Sequence, residues 1–353
     1  MSKSIKKVTV IGHFAFGKDL LNGQTVKTKI LAQELERQLG EGEVQKIDTH
    51  GGKKALPKLF FQAISALKHS KNVVILPAHN GIRFFVPVLR FFNRFYKRKL
   101  FYVVIGGWLP KFLEDKKKLK KQLQVFDGIF VETQTMQNAL CKMGFANISV
   151  MPNCKRLEIL LEEDLVYPQS EPYPLCTFSR VMKEKGIEDA VQAVKGVNEK
   201  FGRIVYTLDI YGQVDDEQTE WFERLQKDFP EYIRYGGLVD FDKSVEVLKN
   251  YFALLFPTYY EGEGFAGTLL DALASGVPVI ASDWKYNAEI VIEGKTGLLY
   301  RTKDVKNLIN SLIIIYEQKN NWLDMKKNCL KEAENYLPSV VLTELRQVIS
   351  GGI

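Results

Sequence analysis

The chain has 353 residues, 46% of them apolar and 12% aromatic, with 49 Lys and Arg against 42 Asp and Glu; it is long enough for two domains with separate cores and too apolar for a disordered chain. No apolar run reaches the ~18 to 20 residues of a membrane-spanning helix, and MSKSIKKVTVIG passes from a basic tip straight into a strand without a signal-peptide core, so a cytoplasmic address is expected. Residues 1–170 carry 28 Lys and Arg against 14 Asp and Glu, and the remainder 21 against 28, so a basic part precedes an acidic one. Cys141, Cys154, Cys176 and Cys329 lack C-x-x-C spacing and read as reduced, buried residues rather than a zinc site or disulfide framework.

The first apolar strand, residues 7–11, leads into GHFAFGK, which approaches the phosphate loop G-x-x-x-x-G-K-[ST]. Asp19 stands where that loop needs a magnesium-binding hydroxyl and would repel phosphate, so the segment reads as a strand-to-helix loop. His13 lies in it, and Gly23 precedes a helix expected from residue 25. Strands at 73–76, 101–105 and 128–131 follow, and His79, in PAHNG, sits just past the first of these. Residues 83–98 form a basic amphipathic stretch: Arg83, Arg90, Arg94, Lys97 and Arg98 fall on one helical face, with Phe84, Phe85, Val88, Phe91, Phe92 and Phe95 opposite. Residues 111–121 add more Lys. Such a stretch can rest on anionic lipid, or pack its aromatics on the sheet and leave a solvated basic face; the two readings are compatible. No nucleic-acid recognition motif accompanies the charge.

VYPQSEPYP, residues 166–174, has three prolines and no periodicity and reads as a linker. Strands at 175–178, 205–211, 253–256 and 277–281 follow it. Continuous apolar strands alternating with helices predict an α/β fold of two doubly wound, Rossmann-like domains, 1–165 and 175–335, with ligands beyond the strands' carboxyl ends. The tail, 336–353, contains a helix candidate at 339–349. Asp240-Phe241-Asp242 fits a D-x-D metal pattern, but it follows two glycines and precedes a helix, so N-capping is the preferred reading and no metal is expected.

The most informative stretch is PTYYEGEGFAGTLLDALASGVPVIAS, residues 257–282. It sets Glu263 in a loop and Asp271 on the following helix, with Gly262, Gly264 and Gly267 between strand and helix. Glycines let the backbone approach a ligand, and free amides at a helix start suit a phosphate or diphosphate. Carboxylates beside such a cradle suit the hydroxyls of a sugar nucleotide.

This segment resembles the E-x7-E signature of family 4 retaining glycosyltransferases of the GT-B fold, with Asp271 in place of the second Glu. FSRVMKEKGI, residues 178–187, is similar to that family's G-R-L-x-x-x-K-G pattern, with Ser179 replacing the Gly. The resemblance implies two domains facing across a cleft, the first binding an acceptor and the second a nucleotide-diphosphate sugar, with a last helix that can return to the first domain. It implies that Arg180 and Lys185 meet the donor diphosphate, that Glu263 positions the sugar, that Asp271 takes the ribose hydroxyls, and that His79 contacts the transferred sugar. Gly23, Gly262, Gly264, Phe265, Ala266 and Gly267 would line the donor. The implied reaction is metal-independent transfer of a hexose from a nucleotide sugar, a UDP-sugar being the expected donor, with no cofactor. The implied acceptor is a lipid-linked or other saccharide in bacterial capsule, exopolysaccharide or lipopolysaccharide assembly. A nucleotide-sugar epimerase and a non-catalytic sugar-nucleotide or lipid-binding module are the alternatives.

Overall fold

The computed structural model describes residues 5–18, 23–240 and 242–351, apart from the side chains of residues 53 and 320. The basic tip, Asp19 and Phe241 lie outside these residues. The chain divides into two compact units, one made of Met1–Arg156 with Leu337–Ile353 and the other of Leu157–Tyr336.

The first unit holds six parallel strands: β1 (Lys6–Gly12), β2 (Val44–Asp48), β3 (Ser70–Ile75), β4 (Lys99–Val103), β5 (Gly128–Val131) and β6 (Ile148–Val150), in the order β2-β1-β3-β4-β5-β6. Val8, Val10, Val73, Val74, Phe101 and Val103 on the central strands are fully or almost fully buried, as expected for strands covered by helices on both faces. The second unit repeats the plan with β7 (Tyr173–Phe178), β8 (Tyr206–Tyr211), β9 (Ile233–Gly237), β10 (Ala253–Phe256), β11 (Val279–Ser282) and β12 (Gly297–Tyr300), in the order β12-β11-β10-β7-β8-β9. Both sheets are therefore doubly wound and Rossmann-like. The strand order reverses between β1 and β3 in one and between β7 and β10 in the other, and ligands of such sheets bind beyond the carboxyl ends at these switch points.

The proline-rich stretch is not the boundary between the units, which falls at Arg156/Leu157. Residues 157–172 run over the second unit and are tied to it. The Leu160 amide donates to the Ala274 carbonyl at 2.9 Å, Leu165 is buried beside Gly276, and Arg203 and Tyr316 both bond the Glu171 carboxylate. Prolines mark irregular backbone, and here that backbone is packed. The tail forms helices Pro338–Val341 and Thr343–Ser350. Their Val341, Leu342, Leu345 and Ile349 join one core with Val10, Phe14, Leu31 and Leu35, and the Asn72 side chain donates to the Ile349 carbonyl at 3.1 Å.

Two buried cations stand out. Lys27 and Glu132, each 3% exposed, pair at 2.6 Å, and the second carboxylate oxygen of Glu132 accepts the Gly106 amide at 3.0 Å. Lys326, by contrast, has no hydrogen-bond partner for its amine; its Nζ lies 5.9 Å from the centre of the Tyr167 ring, and burial holds its pKa down to about 8. A Lys whose folded pKa lies below its unfolded value destabilises while both states are charged, and stability rises as the pH climbs from the folded value toward the unfolded one. Lys326→Met is therefore expected to stabilise the protein by about 2 to 4 kcal/mol at pH 7, since each pKa unit is worth about 1.4 kcal/mol. Urea unfolding at pH 7 and pH 10 checks this: the gain should be smaller at pH 10.

Two smaller expectations change. Cys141 is exposed while the other three cysteines are buried and free. The helix Ser244–Leu248 has Lys243 at its N-cap and no side-chain cap; Asp240 contributes only its carbonyl, to the Lys243 amide at 2.9 Å. Among the described residues no three His, Cys, Asp or Glu side chains form a metal-holding group, and no helix is long and apolar enough to cross a membrane.

Candidate functional site

The carboxyl end of β7 runs into Ser179 and Arg180, and that of β10 into the loop 257–266. These ends flank the switch point of the second sheet. Gly212, at φ 134°, brings its backbone so close to Ser179 that a Cβ would stand 1.8 Å from the Ser179 carbonyl oxygen. Beyond that contact Arg180 projects outward, 57% exposed, with Nη1 3.4 Å from the Asp215 carboxylate. A long contact at an exposed position leaves the guanidinium available to an anion.

Lys185 closes a single turn, Lys183–Lys185, capped by Gly186 in the left-handed region at φ 70°. A Cβ on Gly186 would lie 2.1 Å from the Pro257 carbonyl oxygen, so the close approach of the two loops requires glycine there. This approach sets Lys185 Nζ 2.6 Å from Glu263 Oε2. The buried Thr258 hydroxyl donates to the same oxygen at 2.8 Å, and the amine lies 5.3 Å from the Tyr260 ring centre and 5.6 Å from that of Phe256. Glu263 is 9% exposed. Lys185 and Glu263, assigned from sequence to different parts of a donor, thus form one charge-neutral pair. Thr258, Asp215, Phe256 and Tyr260 were not singled out in the sequence, because what places them is tertiary contact and not spacing.

The loop continues through Gly262 and Gly264 into the helix Gly267–Ala274, whose N-cap, Ala266, is extended and supplies no side-chain cap. The first amides of this helix are thus not capped by the preceding side chain, an arrangement that suits an anion. Phe265 differs from its neighbours: its ring is buried in the core, 5.5 Å from the ring of Tyr336, so only its backbone is available to line a donor. Asp271, 5% exposed, is buried one turn into the helix.

Gly23 and His79 belong to the first unit. Gly23 is the first residue of the helix Gly23–Leu39, two residues before the expected start, and among the described residues nothing outside its chain neighbours and its own helix backbone stands within 4 Å of where its Cβ would be. His79 opens the helix His79–Tyr96 beyond β3, at the first sheet's switch point. Its ring lies 3.9 Å from that of Trp108 and meets the edge of Phe112 at 5.2 Å. Burial, then the nearby Arg83 and Lys116, lower its pKa and so favour the neutral imidazole. His13, past β1, is also lowered by burial, against the opposing pull of Asp48. Its Nδ1 lies 2.7 Å from Thr25 Oγ1 and its Nε2 3.1 Å from His50 Nδ1.

The helix His79–Tyr96 corrects the expected distribution of aromatics. Ile82, Phe85, Val86 and Leu89 form the buried stripe, while Phe91 and Phe95 are 53% and 74% exposed. Lys97, at φ 50°, ends the helix, and Arg98 lies beyond it, donating to the Leu67 carbonyl at 3.0 Å. The buried stripe ends at Leu89, nearly two turns before Phe95.

Residues 167–335, which fall within the second unit, match the family model described as Glycosyl transferases group 1. A UDP-N-acetylglucosamine–peptide N-acetylglucosaminyltransferase GtfA subunit of Streptococcus gordonii is 26% identical over 231 residues, 62% of this chain and 44% of that protein. An uncharacterized 41.2 kDa protein in the cps region of Klebsiella pneumoniae is 23% identical over 307 residues, 80% of this chain and 79% of that protein. The chain thus spans less than half the length of the Streptococcus relative. The crystal structure of HepE from Anabaena in complex with UDP matches with a TM-score of 0.72 at 12% identity, covering 98% of this chain and 100% of that one. What the chain shares with known proteins is a GT-B fold of two Rossmann-like domains and, over residues 167–335, a group 1 glycosyl transferase segment.

Proposed function

We propose that the chain is a retaining, metal-independent glycosyltransferase that moves a hexose from a nucleotide-diphosphate sugar, a UDP-sugar in the first instance, to a lipid-linked or other saccharide acceptor in bacterial surface polysaccharide synthesis, on the cytoplasmic face of a membrane. One observation carries this reading: at the switch point of the second sheet, the Lys185–Glu263 pair lies at one end of a glycine-rich loop leading to a helix start, and the exposed Arg180 follows the neighbouring strand. The match over residues 167–335 and the relative in a cps region support it.

In this reading an arriving diphosphate competes with Glu263 for Lys185. The amine turns to the phosphate oxygens and Arg180 joins it, so that two fixed cations and the amides of residues 264–267 stabilise the charge that builds on the leaving group. Glu263, released from Lys185 but still held by Thr258, accepts hydrogen bonds from the sugar hydroxyls and orients the anomeric carbon. Asp271 serves the ribose. A same-face attack assisted by the departing phosphate needs no protein nucleophile, so Glu263 positions and does not form a covalent intermediate.

The test is a donor screen in which the protein is incubated with individual UDP-, GDP-, ADP- and dTDP-sugars, with and without lipid extract, and released nucleotide and sugar-bearing lipid are followed by mass spectrometry. Lipid-dependent nucleotide release with a hexose-mass gain on the lipid is the expected result. An isomerised sugar nucleotide with no glycoside formed would identify an epimerase. A donor that binds and stays intact under every condition would leave a binding module.

A further inference from the structure

Two cavities adjoin on the first unit, between the helix His79–Tyr96 and the helix Lys117–Leu123. One has a volume of about 630 Å³ and the other about 540 Å³, and both are lined by Pro87, Lys118 and Gln122. Pro87 stands inside the helix, where it removes the amide that would bond the residue 83 carbonyl and loosens the turn at the point the cavities share. Their walls have two chemistries. Arg83, Arg90, Arg94, Lys117, Lys118 and Lys121 supply cations, with Asp115 the one lining carboxylate among the described residues. Phe60, Phe91 and Phe92 supply an apolar wall, and the ring of Phe95, one turn beyond Phe91, is exposed.

Two of these cations face aromatic rings. The Arg94 guanidinium lies 5.7 Å from the centre of the Phe91 ring and that of Arg83 5.0 Å from Phe112. Such contacts fix the direction of a cation without neutralising it. A small soluble anion would use the cations and leave the phenyl rings in water. An amphiphile with a phosphate head uses both, because its charge meets the Arg and Lys while its acyl region covers the rings.

We infer that these cavities form a docking site for the phosphate headgroups of an anionic phospholipid bilayer, with Arg90, Lys118 and Lys121 on the headgroups and Phe91 and Phe95 entering the interface. The inference rests on the membrane part of the reading above and not on sugar transfer, and it assigns to named residues a contact that net charge leaves diffuse.

Sedimentation with vesicles of phosphatidylcholine, alone or mixed with phosphatidylglycerol, tests it with the full chain and no donor present. Binding is expected only to the mixed vesicles. Replacing three cations (Arg90→Gln, Lys118→Gln, Lys121→Gln) should weaken it about 100-fold, since each cation near an anionic surface contributes about fivefold. A control losing the same charge from exposed positions elsewhere on the unit (Lys68→Gln, Lys71→Gln, Lys142→Gln) should bind within about threefold of the parent if the site, and not the summed field, holds the lipid. Equal losses in the two variants, or no preference for phosphatidylglycerol, would overturn the inference, and urea midpoints would verify that both variants fold. Vesicle binding without turnover of any donor would sink the transferase reading and leave this site standing; turnover without vesicle binding would do the reverse.

Discussion

Arg180→Ala is expected to lower kcat for sugar transfer by about 10²- to 10³-fold, the loss that follows removal of one well-placed donor to a developing negative charge. The side chain is largely in solvent, and its single long contact with Asp215 contributes little to stability. The unfolding free energy from urea titration should therefore stay within about 0.5 kcal/mol of the parent. Lys185 provides the contrast. Lys185→Met would leave Glu263 as a nearly buried carboxylate holding only the Thr258 hydroxyl, so that variant should lose stability as well as turnover. Steady-state kinetics beside urea unfolding separates the two. An Arg180→Ala enzyme with parental kcat would remove Arg180 from the site, and one with a shifted midpoint would give it a structural role.

Lys27→Met should cost about 3 to 5 kcal/mol of stability, the usual penalty for leaving one member of a buried ion pair without its partner. Glu132 would keep the Gly106 amide on one oxygen and lose the ammonium on the other, in surroundings that admit almost no water. The double variant Lys27→Met with Glu132→Leu should recover much of the loss, because no uncompensated charge then remains. Urea unfolding of the parent, the two single variants and the double variant closes the cycle. Additive losses would show that the pair is not coupled.

Strand position decides what could be read from the chain. β1, β3, β4, β5, β7, β8, β10 and β11 are visible in the sequence as stretches rich in apolar residues. The four that are not, β2, β6, β9 and β12, are the outer strands of the two sheets. An outer strand packs one side on neighbours and turns the other to water, so VQKID and IRYGG mix polar residues into the pattern, and the three-residue β6 is too short to announce itself. The candidate site divides in a similar way. Arg180, Lys185, Glu263 and the glycines stand in local motifs. Thr258 beneath Glu263, Trp108 against His79 and His50 beside His13 depend on which loops the fold brings together. The linker failed as a boundary because proline density reports irregular backbone and is silent about what that backbone packs on.

The return of residues 337–353 to the first unit has a consequence for synthesis. Val341, Leu342, Leu345 and Ile349 complete a core whose other members precede residue 155, yet they leave the ribosome only after the whole of Leu157–Tyr336. The second unit can therefore consolidate while the chain is still growing, whereas the first must wait with part of its apolar surface uncovered, open to chaperones and to neighbouring chains. Slower translation lengthens that exposure.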